Sequence, residues 1–327
     1  MPFLPIFILL LSFNAMSQGT YPTTGSIERL DPKMNSLIAP NAVIEVLSNG
    51  FIWTEGPLYI EDGDYWLFSD IPQNSIFKWN EKEGVRLYLK PSGYTGTVPR
   101  GGEPGSNALI LNPKGQLVMC QHGDRRMARM SAPLKEPSAV FESIAGQYLG
   151  KKFNSPNDAV YDSKGNLFFT DPPYGLVGNS DDPTKELPFQ GVFRCSPQGD
   201  IKLITDKLAR PNGIAFSPDE KIMYVSNSEF PASWHAFSLD QMGNILNERI
   251  FFVPGDNEGE GAPDGLKVDP QGNIWATGPG GLWIFSPEAK VLGRIFTGEA
   301  TSNCAFNKDY SVLFLTCDDY IMRVKLK

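Results

Sequence analysis

One short pattern recurs six times along this chain, and each copy begins with an oxygen-bearing side chain. Successive copies are 52, 50, 55, 52 and 39 residues apart. Ten or eleven residues after each copy begins, beyond a tight turn, an apolar run of strand-forming residues starts. A repeat of about 50 residues made of short strands and turns is typical of a β-propeller with one blade per repeat. The repeat therefore predicts an all-β fold, a six-bladed β-propeller. The six starting residues, called the ring residues below, are Glu55, Asn107, Asn157, Asn212, Asp264 and Asn303.

The last repeat is too short to supply a whole blade. Only 24 residues follow Asn303, so the outer strand of that blade has to come from elsewhere in the chain. Ala42–Leu47 is an apolar strand-like segment ahead of the first repeat, with no other partner. Pairing it with the C-terminal blade would close the ring and remove an exposed sheet edge. We therefore predict one propeller domain over residues 42–327, closed by this N-terminal strand.

The first residues of the chain are typical of an export signal. Residues 3–13 form an apolar run too short to cross a bilayer, and Ala15-Met16-Ser17 is a small-x-small cleavage pattern. We predict a signal peptide at 1–17, an N-terminal extension at 18–41, and a periplasmic or secreted mature protein that is not held in a membrane. The run lacks a basic flank, and a buried N-terminal strand is the alternative interpretation.

The net charge and the cysteine spacing limit which partners and which cysteine sites the chain can have. The formal net charge is −8 and the chain has no basic run that could neutralise phosphates, so we expect no nucleic-acid partner. The four cysteines lack Cys-x-x-Cys spacing, which disfavours a zinc or redox site. We expect buried free thiols, with Cys304 and Cys317 the one pair whose bonding stays open. Oligomeric state also stays open.

Loop lengths predict which end of the ring carries the site. Connections between the first and second strands are tight, whereas several connections at the opposite end are long and rich in Gly and Pro. Binding residues are usually found on such loops. The ring residues belong to this end, and so do His122, Asp171 and Tyr174. We predict that Asn107, His122, Asp171, Tyr174 and Asn303 contact the substrate. A hydrogen-bonding bystander is the alternative for His122, and a turn-capping aspartate for Asp171.

The ring residues offer only oxygen atoms. Four are Asn and two are acidic, and such a set favours a hard divalent cation over zinc or copper. Calcium fits a wide ring of carboxamides better than magnesium, although other divalent cations remain possible. The alternative is a polar channel lining that only solvates buried water.

Four motifs at blade spacing resemble the senescence-marker/gluconolactonase/luciferin-regenerating family of six-bladed propellers. They are Glu55-Gly-Pro, Ser155-Pro-Asn157-Asp, Arg210-Pro-Asn212-Gly and Pro263-Asp264-Gly. Gln121-His122-Gly-Asp-Arg-Arg and Thr170-Asp171-Pro-Pro-Tyr174-Gly further resemble its bacterial gluconolactonase branch. The resemblance implies calcium held by Glu55, Asn157, Asn212 and Asp264, lactone hydrolysis, and Asp264 as proton donor or acceptor. Two positions depart from the animal members. Ser155 stands where they carry arginine, and Gly175 lies near the place of their substrate-contacting glutamate.

The chemistry implied is consistent with the residues present. A bound cation would polarise a lactone carbonyl, and a carboxylate such as that of Asp264 could accept the proton of the attacking water. The Gly-x-Ser-x-Gly signature of a serine hydrolase is absent from the sequence. We therefore predict a calcium-dependent sugar lactonase acting on a small-molecule lactone. The alternatives are a phosphotriesterase-like hydrolase with the same metal centre and a non-catalytic propeller that binds a ligand or partner.

Overall fold

A computed structural model describes residues 21–256 and 258–327 of the chain. These residues contain 28 strands, one short α-helix, α1 (Met34–Leu37), and one turn of 3-10 helix, Asn179–Asp181. In chain order the strands are β1 Thr23–Thr24, β2 Ser26–Arg29, β3 Ile44–Asn49, β4 Thr54–Ile60, β5 Tyr65–Asp70, β6 Ser75–Asn80, β7 Gly84–Leu89, β8 Ser106–Leu111, β9 Leu117–Gln121, β10 Arg126–Met130, β11 Phe141–Ala145, β12 Gln147–Tyr148, β13 Lys151–Lys152, β14 Ala159–Tyr161, β15 Leu167–Asp171, β16 Gly191–Cys195, β17 Ile201–Thr205, β18 Pro211–Phe216, β19 Ile222–Asn227, β20 Ser233–Leu239, β21 Ile245–Phe252, β22 Leu266–Val268, β23 Ile274–Gly278, β24 Gly281–Phe285, β25 Val291–Phe296, β26 Thr301–Phe306, β27 Val312–Cys317 and β28 Tyr320–Lys325.

These strands form six antiparallel blades and one small separate hairpin, β12–β13. Blades one to four are β4–β7, β8–β11, β14–β17 and β18–β21. Blade five is β22–β25 with β2 at its edge, and blade six is β26–β28 with β3 and then β1. The predicted all-β, six-bladed β-propeller is confirmed.

The ring closes as the sequence predicts. Strand β3 pairs antiparallel with β28, with Ile44 opposite Val324 and Asn49 opposite Tyr320. Strand β1 then pairs with β3, and β2 pairs with β25 of the neighbouring blade, so residues 23–29 add a fifth strand to each of two blades. The predicted extension at 18–41 is thus partly built into the sheets, while its boundaries remain a prediction. The proposed signal peptide at 1–17 lies outside the described residues.

Each ring residue lies in the first residues of the innermost strand of its blade or just before that strand. In four blades the strand pairing shifts register beside that residue, for example between Glu55 and Leu58 and between Pro211 and Ile214. A β-bulge re-aims the side chain where it occurs. In blades three and five the ring residue instead lies two residues before the strand, Asn157 ahead of β14 and Asp264 ahead of β22. Both arrangements free the ring residue from regular strand geometry.

Neighbouring blades approach so closely at the centre that glycine is required next to some ring residues. A Cβ added to Gly213 would lie 2.3 Å from the backbone oxygen of Asp264. Gly56 has a φ of +56° and a Cβ there would lie 2.3 Å from the Asn107 carbonyl oxygen. The glycines that follow Glu55 and Asn212 are therefore a consequence of blade packing.

Hydroxyl groups on second strands join adjacent blades near the centre. Ser69 Oγ donates to the Asn107 carbonyl at 2.8 Å, and Thr170 Oγ1 donates to the Asn212 carbonyl at 2.7 Å. Thr277 Oγ1 donates in the same way to Ser302 O at 2.9 Å. These bonds hold the backbone of the ring residues in place.

The hydrophobic core is divided among the interfaces between adjacent blades. The six apolar clusters of the described residues each combine side chains from two neighbouring blades. At the junction of blades one and six, Trp66 stacks on Phe314 with centroids 4.6 Å apart. All four cysteines are buried free thiols within two of these clusters. Among the described residues, no helix is long and apolar enough to cross a membrane.

Candidate active site

A pocket of about 290 Å³ lies where the six blades meet. At least one residue from every blade contributes to its wall, together with residues of the loops before the inner strands and after the second strands. Its lining is Trp53, Glu55, Ile71, Glu103, Asn107, Asn157, Tyr174, Asn212, Ser228, Gly261, Ala262, Asp264, Ala300 and Thr301. The pocket therefore occupies the end of the ring that loop lengths predict.

The four residues implied as metal ligands all line this one pocket, although they come from four different blades. Glu55 is buried, and its Oε2 accepts hydrogen bonds from Gly56 N at 2.7 Å and from Asn303 Nδ2 at 3.1 Å. Burial raises the pKa of Glu55 to about 7 despite these bonds. Desolvation, reinforced by the negative charge of Glu55, also raises the pKa of Asp264 well above its usual range.

Ser228 connects two of the implied ligands. Its Oγ accepts a hydrogen bond from Asn212 Nδ2 at 3.1 Å and donates to Pro263 O at 2.6 Å. Because the Asn212 amide nitrogen is engaged in this way, the side-chain oxygen of Asn212 is left for the pocket. The second bond fixes the backbone immediately before Asp264.

The pocket fits a hard cation by its donor atoms. Asn107 Oδ1 and Asp264 Oδ1 are buried and lack a hydrogen-bond partner among the described residues. In that part of the chain, three or more His, Cys, Asp or Glu side chains nowhere converge as a metal cluster. The available donors are thus two carboxylates with carboxamide oxygens, which is the chemistry of a calcium-type site. Unpaired buried carboxylates are costly, and a divalent cation would relieve that cost.

Of the five predicted substrate contacts, Asn107 and Tyr174 line the pocket. Burial raises the pKa of Tyr174 to about 12, so its hydroxyl is protonated at neutral pH. The Arg210 guanidinium lies over its ring, 5.5 Å from the centroid. The other three predicted contacts, His122, Asp171 and Asn303, are not on the pocket wall.

Asn303 holds the Glu55 side chain in place by a hydrogen bond. Besides its bond to Glu55, its Oδ1 accepts hydrogen bonds from Cys304 N at 2.9 Å and from Lys267 Nζ at 3.2 Å. The ammonium of Lys267 also lies 3.6 Å from Asp158 Oδ2. The positive charge of Lys267 is therefore near the pocket carboxylates, and it opposes the rise in the pKa of Glu55 that burial causes.

Asp171 anchors a loop instead of facing the pocket. Its two carboxylate oxygens accept hydrogen bonds from Asn154 N and Ser155 N, each at 2.8 Å. The corresponding residues of two other blades act in the same way. A side-chain oxygen of Asp70 accepts a hydrogen bond from Ile52 N at 3.1 Å, and that of Asn227 accepts one from Arg210 N at 2.9 Å. In each case the residue that ends the second strand fixes the backbone two or three residues before the ring residue.

The two positions that depart from the animal pattern pack against each other. Ser155 Oγ donates to Pro172 O at 2.6 Å and accepts from Gly175 N at 2.9 Å. A Cβ on Gly175 would lie 2.6 Å from that of His122 and 2.7 Å from that of Ser155. An arginine at 155 or a larger residue at 175 would disrupt this contact, so the departures form one local arrangement.

Sequence reasoning missed several residues of the site. Glu103, Trp53 and Ser228 lie on the pocket wall but belong to segments with no repeat signal of their own. Ser228 lies sixteen residues after Asn212, just past the second strand, and this offset from the ring residue could have identified it. Glu103 lies within a long loop, and neither its type nor its spacing distinguishes it in the sequence.

Fold and site together define a six-bladed β-propeller with an oxygen-lined pocket at the centre of its ring. The chain belongs to the SMP-30/Gluconolactonase/LRE-like family, whose model matches residues 53–318. It is 38% identical over 315 residues to a gluconolactonase of Zymomonas mobilis, covering 93% of this chain and 87% of that protein. The structure of a Xanthomonas campestris gluconolactonase superposes with a TM-score of 0.81 at 29% identity, covering 94% of this chain and 98% of that one. Regucalcin of Oryctolagus cuniculus is 26% identical over 282 residues, covering 80% of this chain and 82% of that protein.

Proposed function

We propose that this protein hydrolyses sugar lactones in the central pocket, using a calcium ion held by Glu55, Asn157, Asn212 and Asp264. The observation that carries the proposal is the convergence of these four oxygen-bearing residues in one pocket. The gluconolactonases from Zymomonas mobilis and Xanthomonas campestris, to which the chain is similar along nearly its whole length, support lactone hydrolysis. Calcium is supported by the donor set alone.

A bound calcium ion would act as a Lewis acid toward the lactone carbonyl and stabilise negative charge on its oxygen. The residues of the chain supply the remaining functions. Asp264, whose Oδ1 has no hydrogen-bond partner, accepts the proton of the attacking water and returns it to the leaving alkoxide of the opened ring. Asn107 and the protonated hydroxyl of Tyr174, both on the pocket wall, would hydrogen-bond the substrate. Trp53 and Ile71 supply an apolar wall that limits access of water.

Export of the protein is a further part of this proposal. It rests on the apolar run at residues 3–13 and the small-x-small pattern that ends at Ser17. Expression of the full chain in a Gram-negative host, followed by fractionation and N-terminal sequencing, tests it. A mature protein that begins at Gln18 outside the cytoplasm is expected, and retention of Met1 in the cytoplasm would contradict it.

The activity is tested with a panel of aldonolactones, an unsubstituted lactone and a phosphotriester. The purified protein is assayed as prepared, after chelation, and after calcium is restored. Hydrolysis of aldonolactones that is lost with chelator and regained with calcium is the expected result. Turnover unaffected by chelation would contradict the calcium site, and turnover of the phosphotriester alone would contradict the lactonase.

A further inference from the structure

We infer that Glu103 is a specificity determinant that binds the hydroxyl groups of a polyhydroxylated lactone, and that His122 positions it. The inference rests on the proposed lactonase function and names the feature of the substrate that the pocket recognises. Glu103 is the one acidic side chain on the described pocket wall that is neither a ring residue nor an implied cation ligand. Its side chain is about one-third exposed and forms part of the pocket wall.

His122 lies behind Glu103. The imidazole is fully buried, and its Nδ1 lies 3.1 Å from Glu103 Oε2. The two atoms are in close contact, although the ring is not aligned for a hydrogen bond. Nε2 of the same ring is buried without a partner in the described part of the chain. Because the buried imidazole contacts a carboxylate of the pocket wall, a change at His122 is expected to act on the pocket through Glu103.

The loop that carries Glu103 is tied down on both sides. Near its start, the side-chain oxygen of Asn74 accepts backbone hydrogen bonds from residues 92, 93 and 94 at 3.0, 2.7 and 3.1 Å. Farther along, Arg100 donates to the carbonyl oxygens of Gly123, at 2.8 Å, and of Gly175. Two residues after Glu103, Gly105 N donates to Ile71 O at 2.9 Å. Glu103 is therefore held in place before any substrate binds, as a selective contact requires.

The backbone leaves just enough room for this arrangement. A Cβ on Gly123 would lie 2.4 Å from Pro104 O, next to Glu103 in the chain. Both His122-Gly123 and Tyr174-Gly175 therefore place glycine where the Glu103 loop or the imidazole packs. These glycines belong to the two motifs that resemble the bacterial branch. Their lack of a side chain allows the Glu103 loop and the imidazole to pack closely there.

The chemistry of Glu103 and His122 indicates which kind of lactone the pocket binds. The carboxylate of Glu103 can accept hydrogen bonds from neighbouring hydroxyl groups of a sugar ring, and its negative charge repels carboxylate products. Tyr174 and Trp53 supply aromatic surface in the same pocket. Such a wall would favour a lactone that carries hydroxyl groups over an unsubstituted ring of the same size. A site built to bond a substrate hydroxyl discriminates strongly against the analogue that lacks it.

The test compares kcat/KM for glucono-δ-lactone and δ-valerolactone in wild type, Glu103→Gln and His122→Ala. Glu260→Gln is the matched control, because it removes one negative charge from an exposed residue near the same end of the ring. Glu103→Gln is expected to lower the ratio of the two kcat/KM values by about ten- to a hundredfold, as for loss of a hydrogen bond to a charged group. The effect is expected mainly in KM for gluconolactone, with calcium affinity by calorimetry kept within about twofold.

His122→Ala is expected to lower the same ratio less, and to have no further effect when Glu103 is already Gln, because it acts through Glu103. An unchanged ratio in Glu103→Gln, or additive effects of the two changes, would overturn the inference. Loss of calcium binding in Glu103→Gln would overturn it too, because Glu103 would then be a cation ligand. If wild type hydrolyses neither lactone, the proposed function itself fails and the inference falls with it.

Discussion

Glu55 and Asp264 share a carboxyl group and a pocket but differ in their surroundings. One oxygen of Glu55 is engaged by Gly56 and Asn303, whereas Asp264 Oδ1 has no partner in the described residues. A carboxylate held on one side by donors is suited to ligate a cation. One with an uncommitted oxygen can also accept a proton. We propose different roles for these two acids, with Asp264 as ligand and base and Glu55 as ligand only.

Because the pKa values of Glu55 and Asp264 are raised, we expect calcium binding and folding stability to depend on pH. Burial raises the pKa of Glu55 from 4.5 to about 7, so without a cation the folded protein retains a proton that the unfolded chain releases. Folding stability of the chelated protein should then fall as pH rises from about 4.5 to about 7, by on the order of 3 kcal/mol at about 1.4 kcal/mol per pKa unit. Calcium requires the ionised form, so the stabilisation it provides should grow over the same range.

Denaturation with and without chelator at pH 5, 6, 7 and 8 measures this difference. Glu55→Gln is the matched variant, because it removes this ionisable group while leaving Asp264 in place. In Glu55→Gln, the folding stability of the chelated protein should change less with pH than in wild type. A calcium effect on stability that is equal at pH 5 and pH 8 would contradict the ionisation account.

Asp171→Ala tests whether that residue is a loop anchor or a substrate contact. The change leaves two buried backbone N–H groups without an acceptor, and we expect a loss of about 2 to 4 kcal/mol in the free energy of unfolding. It should also weaken calcium binding, since the loop precedes Asn157. KM for a lactone at saturating calcium should stay within about twofold of wild type. Asp70→Ala, the corresponding change in blade one, should behave in the same way. A large rise in KM for Asp171→Ala alone would make Asp171 a substrate contact.

At the scale of strands and loops, the sequence predicts what repeats and misses what occurs once. The apolar second strands, the tight turns and the closing strand all follow from hydrophobic pattern and spacing, because every blade packs by the same rules. The anchors at Asp70, Asp171 and Asn227 also repeat, but their target is backbone, which spacing alone does not reveal. Glu103 approaches the pocket only because Asn74 and Arg100 hold its loop, and those tertiary contacts have no periodic signal. The pairing of Ser26–Arg29 with blade five likewise lacks a repeat that could predict it.

The N-terminal strands are expected to differ in importance. A chain that begins at Lys33 lacks β1 and β2, which only add outer strands to complete blades. We expect it to fold with a melting temperature several degrees lower and with lactonase kcat/KM within about twofold. A chain that begins at Gly50 also lacks β3, and the ring then has no closing strand. That chain should not fold into a soluble monomer. Equal thermal stability of the two truncations, by circular dichroism, would contradict closure by β3.

At the scale of the whole molecule, the ring brings the four proposed ligands from separate blades to one pocket. Glu55, Asn157, Asn212 and Asp264 lie in blades one, three, four and five. A cation bound there would link these blades non-covalently, in addition to the hydroxyl bonds of Ser69, Thr170 and Thr277. Ligand binding stabilises the folded state by an amount set by concentration and affinity, about 2.7 kcal/mol at a hundred times Kd. Calcium binding would therefore couple function and stability at the centre of the ring.

The turnover of Asp264→Asn at saturating calcium tests the central claim most directly, because asparagine keeps one ligating oxygen but cannot act as a base. Calcium should bind this variant more weakly, yet reach full occupancy by calorimetry at high concentration. Asn303→Ala serves as the comparison, since it disturbs Glu55 without removing a carboxylate. At full occupancy, kcat of Asp264→Asn for gluconolactone should remain on the order of a hundred- to ten-thousandfold below wild type. Recovery to near the wild-type kcat would show that Asp264 is a ligand only and would contradict its role as the proton acceptor.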